Sequence, residues 1–365
     1  MRFIFPQDGD CINKNDGTPT DGGILIDVRV DAPADAEIYV CGEKATFSDG
    51  AWTAKVPVSD RKTTLSAKNV KNGEVCEITV LKFRDPVGKF RLSSDDNILF
   101  LQDITANADK YASIFDNPYL ALYKKAHDLF GACVHLNLFY EYIPGTKHFS
   151  EPREYFNLSM MTDRFKSEFE ANSDWLKLAF HANAEFPDKP YKYATAEKIT
   201  EDFLKIRREI VRFAGESVLT DSTTVHWGEA NREVVRALRA LGLCSLTGYF
   251  RRNAKGDPLV SYYFDGEALD HIGSRDFFYD ADEDMIFAQI DLVLNEKTYA
   301  DVMEALPKIA DDPQRGGFVS LMIHEQYFHP DYRRHLLDFE ARVLDACKYL
   351  HDRGYVGAHI SELTR

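Results

Sequence analysis

Residues 318–324 read FVSLMIH, an apolar run that ends in an imidazole. Three other runs have the same form and end in a carboxylate or an imidazole: 97–103 (NILFLQD), 177–181 (KLAFH) and 223–226 (TTVH). Short apolar runs between helical segments are typical of strands buried in a parallel sheet. In a β/α barrel the carboxyl ends of such strands meet at one face. The four runs therefore predict a barrel whose strand ends share one polar site.

The chain changes character near residue 88. Before that point, alternating strand patterns recur at intervals of about 8 to 12 residues, and Asn72-Gly73 is a strong hairpin signal. These features predict a small all-β, immunoglobulin-like sandwich domain over residues 1–88. After it, strand and helix patterns alternate through seven or eight β/α units, which predicts a single α/β barrel over residues 89–365.

Two helices of the predicted barrel have clear end signals or a clear buried face. Asn117 followed by Pro118 predicts a helix start, and Gly131 predicts its end. The segment after residue 195 carries apolar residues at helical spacing: Ile199, Phe203, Ile206 and Ile210. Both segments are expected to pack as amphipathic helices around the sheet.

Composition limits the classes of partner. The chain has 365 residues and a formal net charge of −15, which argues against nucleic acid or an anionic membrane as the main partner. No apolar run approaches the roughly 20 residues of a membrane span. The first residues contain no apolar secretory segment, so a cytoplasmic location is expected, and a trimmed leader would leave export open. The six cysteines have no CxxC spacing, which predicts mostly buried thiols and no redox motif.

The order and spacing of these strand ends resemble the polysaccharide deacetylase family, whose chitooligosaccharide deacetylase homology domain is a distorted (β/α)7 TIM-like barrel. The resemblance covers about residues 90–365. That family carries an Asp-Asp pair after its first strand, a His-x-x-x-His motif after a later strand and a catalytic His after the last main strand. The resemblance implies a metal held by the second Asp and two His, and acetylated sugars as substrates.

Transferred residue by residue, the resemblance implies a set of metal ligands and a general acid. Asp103 takes the place of the metal-binding Asp, and Gln102 stands where the catalytic base Asp is expected. His181 matches the first His of the second motif, and Glu185 replaces the second. His324 matches the late catalytic His and would protonate the leaving group.

The remaining predicted roles belong to residues near these motifs. Glu325, beside His324, would replace the missing base. The third motif of the family, an Arg-Pro pair, reads VHWG at 225–228. Three roles are open for His226: a fourth metal ligand, a substrate contact or a filler of the vacated Arg position. It is assigned to substrate binding together with Trp227 and Tyr327. An imidazole and two carboxylates suit Zn²⁺ first and also Mn²⁺, Fe²⁺ or Co²⁺.

Three functions remain open at this stage. The first is a metal-dependent hydrolase that removes an acyl group from a carbohydrate. The second is a carbohydrate-binding barrel without catalysis, with or without a metal, because Gln102 cannot act as a base. The third is a glycosidase that uses Asp103 and Glu185 as its carboxylate pair. Substrate, metal and oligomeric state are not set by the sequence.

Overall fold

A computed structural model describes residues 1–145 and 148–363. The chain divides into two compact units. The first contains Met1–Val87 and Phe277–Phe287, and the second contains Gly88–Asp276 and Ala288–Arg365. No signal in the sequence assigns residues 277–287 to the first unit.

The first unit consists of two sheets around one core. Its N-terminal strands are β1 (Arg2–Phe5), β2 (Cys11–Ile12), β3 (Gly17–Thr20), β4 (Gly23–Asp31), β5 (Ile38–Val40), β6 (Glu43–Lys44), β7 (Thr46–Ser48), β8 (Ala51–Val58), β9 (Lys62–Asn69) and β10 (Val75–Lys82). One sheet has the order β1-β4-β8-β7 with β3 on β4, and the other has the order β2-β10-β9-β5-β6. Val28 and Val80, from different sheets, lie in the same buried cluster. The hairpin predicted at Asn72-Gly73 is confirmed, since β9 and β10 pair antiparallel across it; the immunoglobulin-like assignment stays a prediction.

The second unit alternates strands with helices. The remaining strands of the chain, in order, are β11 (Lys89–Asn97), β12 (Val134–Phe139), β13 (Glu141–Tyr142), β14 (Phe156–Asn157), β15 (Leu176–Ala182), β16 (Ser222–Thr223), β17 (Ser245–Gly248), β18 (Arg251–Arg252), β19 (Pro258–Leu259), β20 (Phe277–Asp280), β21 (Met285–Gln289), β22 (Leu292–Val293), β23 (Phe318–His324) and β24 (Val356–Gly357). Of these, β20 belongs to the first unit, β21 begins in the first unit and ends in the second, and the others belong to the second. The helices are α1 (Leu99–Ala106), α2 (Pro118–Phe130), α3 (Lys166–Ala171), α4 (Ala196–Ala214), α5 (Arg232–Ala240), α6 (Gly266–Ile272), α7 (Tyr299–Ala310), α8 (Phe339–Asp352) and α9 (Ile360–Leu363). Short 3₁₀ helices lie at Ile114–Asp116, Leu158–Met160, His226–Gly228 and Glu325–Phe328.

The parallel strands of this unit form a closed ring. β22, β23, β11, β12 and β15 are paired in that order, all in parallel. A parallel bridge from Leu178 to Leu219 joins β15 to the chain entering β16, and β16 pairs parallel with β17. The ring closes where Ile290, just before β22, donates its N–H to Gly248 at the end of β17. Seven strand positions thus surround one interior, as in the barrel that the sequence predicts.

The predicted helix signals are confirmed. Asn117 caps α2 by accepting the N–H of Leu120, and Gly131 ends it with a φ of 66°. In α4 the buried face contains the four apolar residues expected there. Along residues 1–145 and 148–363 no helix is long and apolar enough to cross a bilayer. All six cysteines are free thiols.

One strand prediction is wrong and affects the site. Residues 97–103 do not form a strand, because β11 ends at Asn97 and α1 begins at Leu99. The apolar run at 98–101 is buried as the first turn of that helix. A continuous apolar run is compatible with a buried strand and with a buried helix, so periodicity alone could not separate the two.

Candidate metal centre and active site

The first strand of the barrel ends in an acidic pair. Asp95 and Asp96 are the seventh and eighth residues of β11. Consecutive side chains of a regular strand point to opposite faces of the sheet. Here Asp96 has a φ of 61°, and the pairing of β11 with β12 shifts register between Ser94 and Asn97. This bulge breaks the alternation, and both carboxylates line the same pocket.

Three side chains from three strand ends converge on one point. His181, in β15, places Nε2 3.0 Å from Asp96 Oδ1. His226, just after β16, places Nδ1 3.2 Å from the same oxygen and 3.1 Å from His181 Nε2. Among the described residues, Asp96, His181 and His226 are the group whose donor atoms could hold a metal ion. They are called the triad below.

The second polar atom of each triad residue is held by a neighbour. His181 donates from Nδ1 to the carbonyl oxygen of Thr224 at 2.6 Å, and His226 donates from Nε2 to that of Glu185 at 3.0 Å. Asp96 Oδ2 accepts a hydrogen bond from Gln326 Nε2 at 2.8 Å. Because a carbonyl only accepts, each imidazole keeps the nitrogen in the triad free to bind a cation. Outer hydrogen bonds of this kind orient metal ligands.

The size of the triad also fits a metal. A tetrahedral zinc site with ligand distances of about 2.0–2.1 Å has edges of roughly 3.3 Å between ligand atoms. The three observed edges are 3.0, 3.1 and 3.2 Å. Two imidazole nitrogens and one carboxylate oxygen at these separations would suit Zn²⁺ as a set of ligands.

The electrostatics of the site favour a negative Asp96. Burial acts to raise the pKa of Asp96, but hydrogen bonds from His181 and His226 outweigh it and hold the pKa well below its ordinary value. Burial acts to lower the pKa of His181, and its contact with Asp96 raises that pKa overall. Without a metal, the triad is a hydrogen-bonded ion cluster that shares protons. A cation would therefore compete with protons for the same atoms.

Asp95 lies beside the triad and connects to a buried cation. Its Oδ1 accepts from Asn137 Nδ2 at 2.6 Å, and Asn137 Nδ2 also lies 3.3 Å from Thr224 Oγ1. Thr224 Oγ1 is 2.6 Å from Thr247 Oγ1, which accepts from the Arg91 guanidinium at 3.2 Å. Burial lowers the pKa of Arg91 to about 10, and the charge of Asp95 opposes that shift. A hydrogen-bonded chain thus crosses the barrel interior from guanidinium to carboxylate.

His324 occupies the same rung of the barrel as Asp95. The two are paired positions of β23 and β11. His324 donates from Nδ1 to Asn295 Oδ1 at 2.9 Å, and its backbone N–H donates to the same oxygen at 3.0 Å. Nε2 is thereby left for proton exchange with a bound molecule.

Two adjoining cavities surround these groups. The polar pocket, of about 430 Å³, is lined by both aspartates, the two triad histidines, His324 and Trp227, among others. The apolar pocket, of about 350 Å³, is lined mainly by apolar side chains that include Ile98, Leu99, Phe139, Ile143 and Phe149. Four residues line both: Asp96, Glu185, Phe186 and Gln326.

Glu325, predicted as a replacement base, has a different position. Its Oε2 accepts the backbone N–H groups of Ile98 and Leu99 at 2.7 and 2.9 Å, and its Oε1 accepts that of Phe100 at 2.6 Å. The side chain is fully buried. Glu325 therefore caps the first turn of α1, where free N–H groups and the helix dipole favour an anion. This corrects its predicted role, because both carboxylate oxygens are engaged.

Asp103, predicted as a metal ligand, is not part of the triad. It lies in α1, where Oδ2 accepts from Tyr111 at 2.8 Å and from Asn117 at 2.7 Å. It lines a third cavity that contains neither Glu185 nor any triad residue. Gln102 likewise donates to the backbone of Glu154. The prediction for Asp103 is wrong because the strand ends at Asn97, directly after the pair Asp95-Asp96, and Asp103 follows about two helical turns later in the chain.

Glu185 and His226 have roles different from those predicted. The carboxylate of Glu185 lies outside the triad, and its carbonyl oxygen orients His226. Burial, with added repulsion from Asp96, raises the pKa of Glu185 to about 7. His226, predicted to contact substrate, supplies the second imidazole of the triad. Trp227 and Tyr327 line the polar pocket, where a role in sugar binding stays a prediction.

The missed residues had a signal in the sequence. The resemblance implies an Asp-Asp pair after the first strand, and Asp95-Asp96 is such a pair. The misread strand moved the expected position to Gln102-Asp103. The one Asp and two His of the triad are the ligand types that the resemblance implies, but the second His comes from the next strand end.

Comparisons with known proteins give distant likenesses in fold. No family model matches the sequence. No curated protein matches it either. The chain is similar to wild-type BA3943 of Bacillus Anthracis, a CE4 family pseudoenzyme, at 11% identity over 81% of this chain and 76% of that one, with a TM-score of 0.32.

Two further solved structures are similar at the same level. Agd3, described as a novel carbohydrate deacetylase, matches at 9% identity over 94% of this chain and 70% of that one, with a TM-score of 0.38. The Bc1960 peptidoglycan N-acetylglucosamine deacetylase matches at 9% identity over 77% and 90%, with a TM-score of 0.37. At such identities the chemistry of this chain follows from its own residues.

Proposed function

We propose that this chain is a metal-dependent hydrolase that removes an acyl group from a carbohydrate, by cleavage of an N-acyl or O-acyl bond. The observation that carries the proposal is the triad, whose three donor atoms lie 3.0–3.2 Å apart beside Asp95 and His324. The resemblance to polysaccharide deacetylases supports the same reaction class.

The triad would hold the metal, with Zn²⁺ first among the candidates and Mn²⁺, Fe²⁺ or Co²⁺ also suited to its N/O donors. A divalent cation in such a site polarises a carbonyl and lowers the pKa of water. Gln326, Thr224 and Glu185 orient the donors from outside. These outer contacts keep the site assembled before the cation binds.

Asp95 is the proposed general base. One of its oxygens is held by Asn137, and within the described part of the chain Oδ2 accepts no hydrogen bond. That oxygen would take the proton from the attacking water. Hydrogen bonds through Asn137 and the hydroxyls of Thr224 and Thr247 connect Asp95 with the buried Arg91. Asp95 thus supplies the base that Gln102 and Glu325 do not.

His324 is the proposed general acid. Its Nδ1 is fixed by Asn295, so Nε2 would pass a proton to the leaving nitrogen or oxygen. The bond from the carbonyl carbon to that atom breaks as the water oxygen bonds to the carbon. The products are a carboxylate and a free amine or alcohol on the sugar. The polar pocket, with the indole of Trp227 and the phenol of Tyr327, would hold the sugar.

The sequence arguments for the non-catalytic barrel and for the glycosidase both depend on where carboxylates lie. The first rested on a missing base, and Asp95 is the residue that we propose for that role. The second needs Asp103 and Glu185 at one cleavage point, and they line different cavities.

The test combines metal content with acyl release. The purified chain should bind one equivalent of Zn²⁺ and release acetate or a longer carboxylate from acylated oligosaccharides. Asp96→Asn should lower both metal content and release, while Asp163→Asn, at an exposed position away from both pockets, should change neither. One bound metal and sugar binding without release would favour the non-catalytic barrel, and no metal would refute the proposal.

A further inference from the structure

We propose that the apolar pocket receives the acyl group of the substrate, and that this group is an apolar chain larger than acetyl. The inference rests on the proposed function and names its substrate class. Its basis is the position of the apolar pocket relative to the triad and to the proposed acid.

The two pockets meet at Asp96, which lines both of them. The triad histidines, Asp95 and His324 line only the polar pocket. In acyl transfer, the general acid must face the leaving group, since it protonates that atom. The side of the carbonyl with His324 therefore holds the sugar. The other side, which opens into the apolar pocket, holds the acyl group.

Phe139 joins the apolar pocket to the metal-binding imidazoles. Its ring centroid lies 5.2 Å from that of His181 and 4.9 Å from that of His226, and the residue also lines the apolar pocket. An acyl chain whose carbonyl group lies at the triad would extend along the ring of Phe139. Ile98 and Leu99 continue the apolar wall.

The volume decides between acetyl and a larger group. The apolar pocket measures about 350 Å³. A dry cavity of about 150 Å³ is already enough to hold benzene. An acetyl methyl group would fill only a small part of this volume and would leave water beside Ile98, Leu99 and Phe139. A chain of several methylenes would remove that water and gain roughly fourfold in affinity for each methylene fully buried.

Binding of n-alkyl hydroxamates to the zinc-loaded full chain tests this inference, because the hydroxamate group binds metals and the alkyl tail reports on the pocket. Titration calorimetry should show that hexanohydroxamate binds up to about 200-fold tighter than acetohydroxamate, for four added methylenes at roughly fourfold each. N-acyl glucosamines of the same chain lengths should show a parallel rise in kcat/KM.

A pair of variants identifies the pocket. Ile143 is half exposed and lines the apolar pocket, so Ile143→Asp should keep the fold and remove most of the gain with chain length. Leu129→Asp makes the same change at an equally exposed residue of α2 outside both pockets and should leave the gain intact.

The outcomes separate this inference from the proposed function. Acetohydroxamate binding to a metal-loaded chain, with no gain from longer tails, would overturn the acyl pocket and leave the hydrolase proposal standing. A gain that survives Ile143→Asp would overturn the placement of the tail in this pocket. A chain that binds no metal would overturn both.

Discussion

Replacement of Glu325 with Gln distinguishes a structural carboxylate from a catalytic one. Glu325 accepts three backbone N–H groups at the start of α1, with N–O distances of 2.6–2.9 Å. An amide has one acceptor oxygen. If that oxygen keeps the bonds to Ile98 and Leu99, the new NH₂ group faces the N–H of Phe100, and two donors meet in a buried site.

The cost of the substitution follows from these bonds. One buried N–H left without an acceptor costs about 1–3 kcal/mol. The two remaining bonds lose their charged acceptor, at about 1 kcal/mol each. The sum is about 4 kcal/mol, equivalent to a roughly thousandfold larger equilibrium constant for local opening. We expect this destabilisation in the turn that lines the apolar pocket through Ile98 and Leu99.

Hydrogen exchange of the amides at 98–106 measures the effect directly. Protection should fall by up to three orders of magnitude in Glu325→Gln, and urea unfolding should show a matching loss of stability. Glu201→Gln, on the exposed face of α4, is the matched control and should change neither. Unchanged protection together with lost acyl release would refute the capping role and restore Glu325 as the base.

Three further predictions concern the site and the barrel interior. Asp95→Asn should retain one equivalent of Zn²⁺ by elemental analysis and lower kcat about 10²–10⁴-fold; a smaller loss would remove Asp95 as the base. His226→Gln should lose most of the bound metal, whereas Glu185→Gln should keep it, and the reverse result would restore Glu185 as a ligand. Burial lowers the pKa of His359 to about 4, so as pH falls through about 6.5 the unfolded chain takes up a proton before the folded one. The contribution of His359 to stability should therefore fall by about 3 kcal/mol between pH 6.5 and 4. The loss of stability over this range, measured by urea unfolding, should be smaller by that amount in His359→Leu; an equal loss in both proteins would contradict the depressed pKa.

The fold was predictable where local signals were specific. The Asn72-Gly73 turn, the Asn117 cap and the spacing of apolar residues in α4 each have a single structural reading. The closure of the ring was harder to predict from the sequence. It depends on one segment that bonds to β17 through Ile290 and pairs with β23 through β22. Such a link is a long-range contact with no local pattern.

The site was predictable in part. The strand ends identified His181, His226 and His324 as residues of one mouth, and the structure brings all three to the polar pocket. The acidic pair was missed for two physical reasons. The first turn of α1 is as apolar as a buried strand, and two adjacent carboxylates in a regular strand are expected on opposite faces.

The bulge at the end of β11 limits how this chemistry can be transferred or repaired. A redesign could copy the same side chains into a regular strand of another barrel. In such a strand one of the two carboxylates would point away from the pocket and into the barrel wall. The backbone irregularity is thus as necessary to the proposed reaction as any donor atom, and attempts to graft or restore such a centre should begin by copying its dihedral angles.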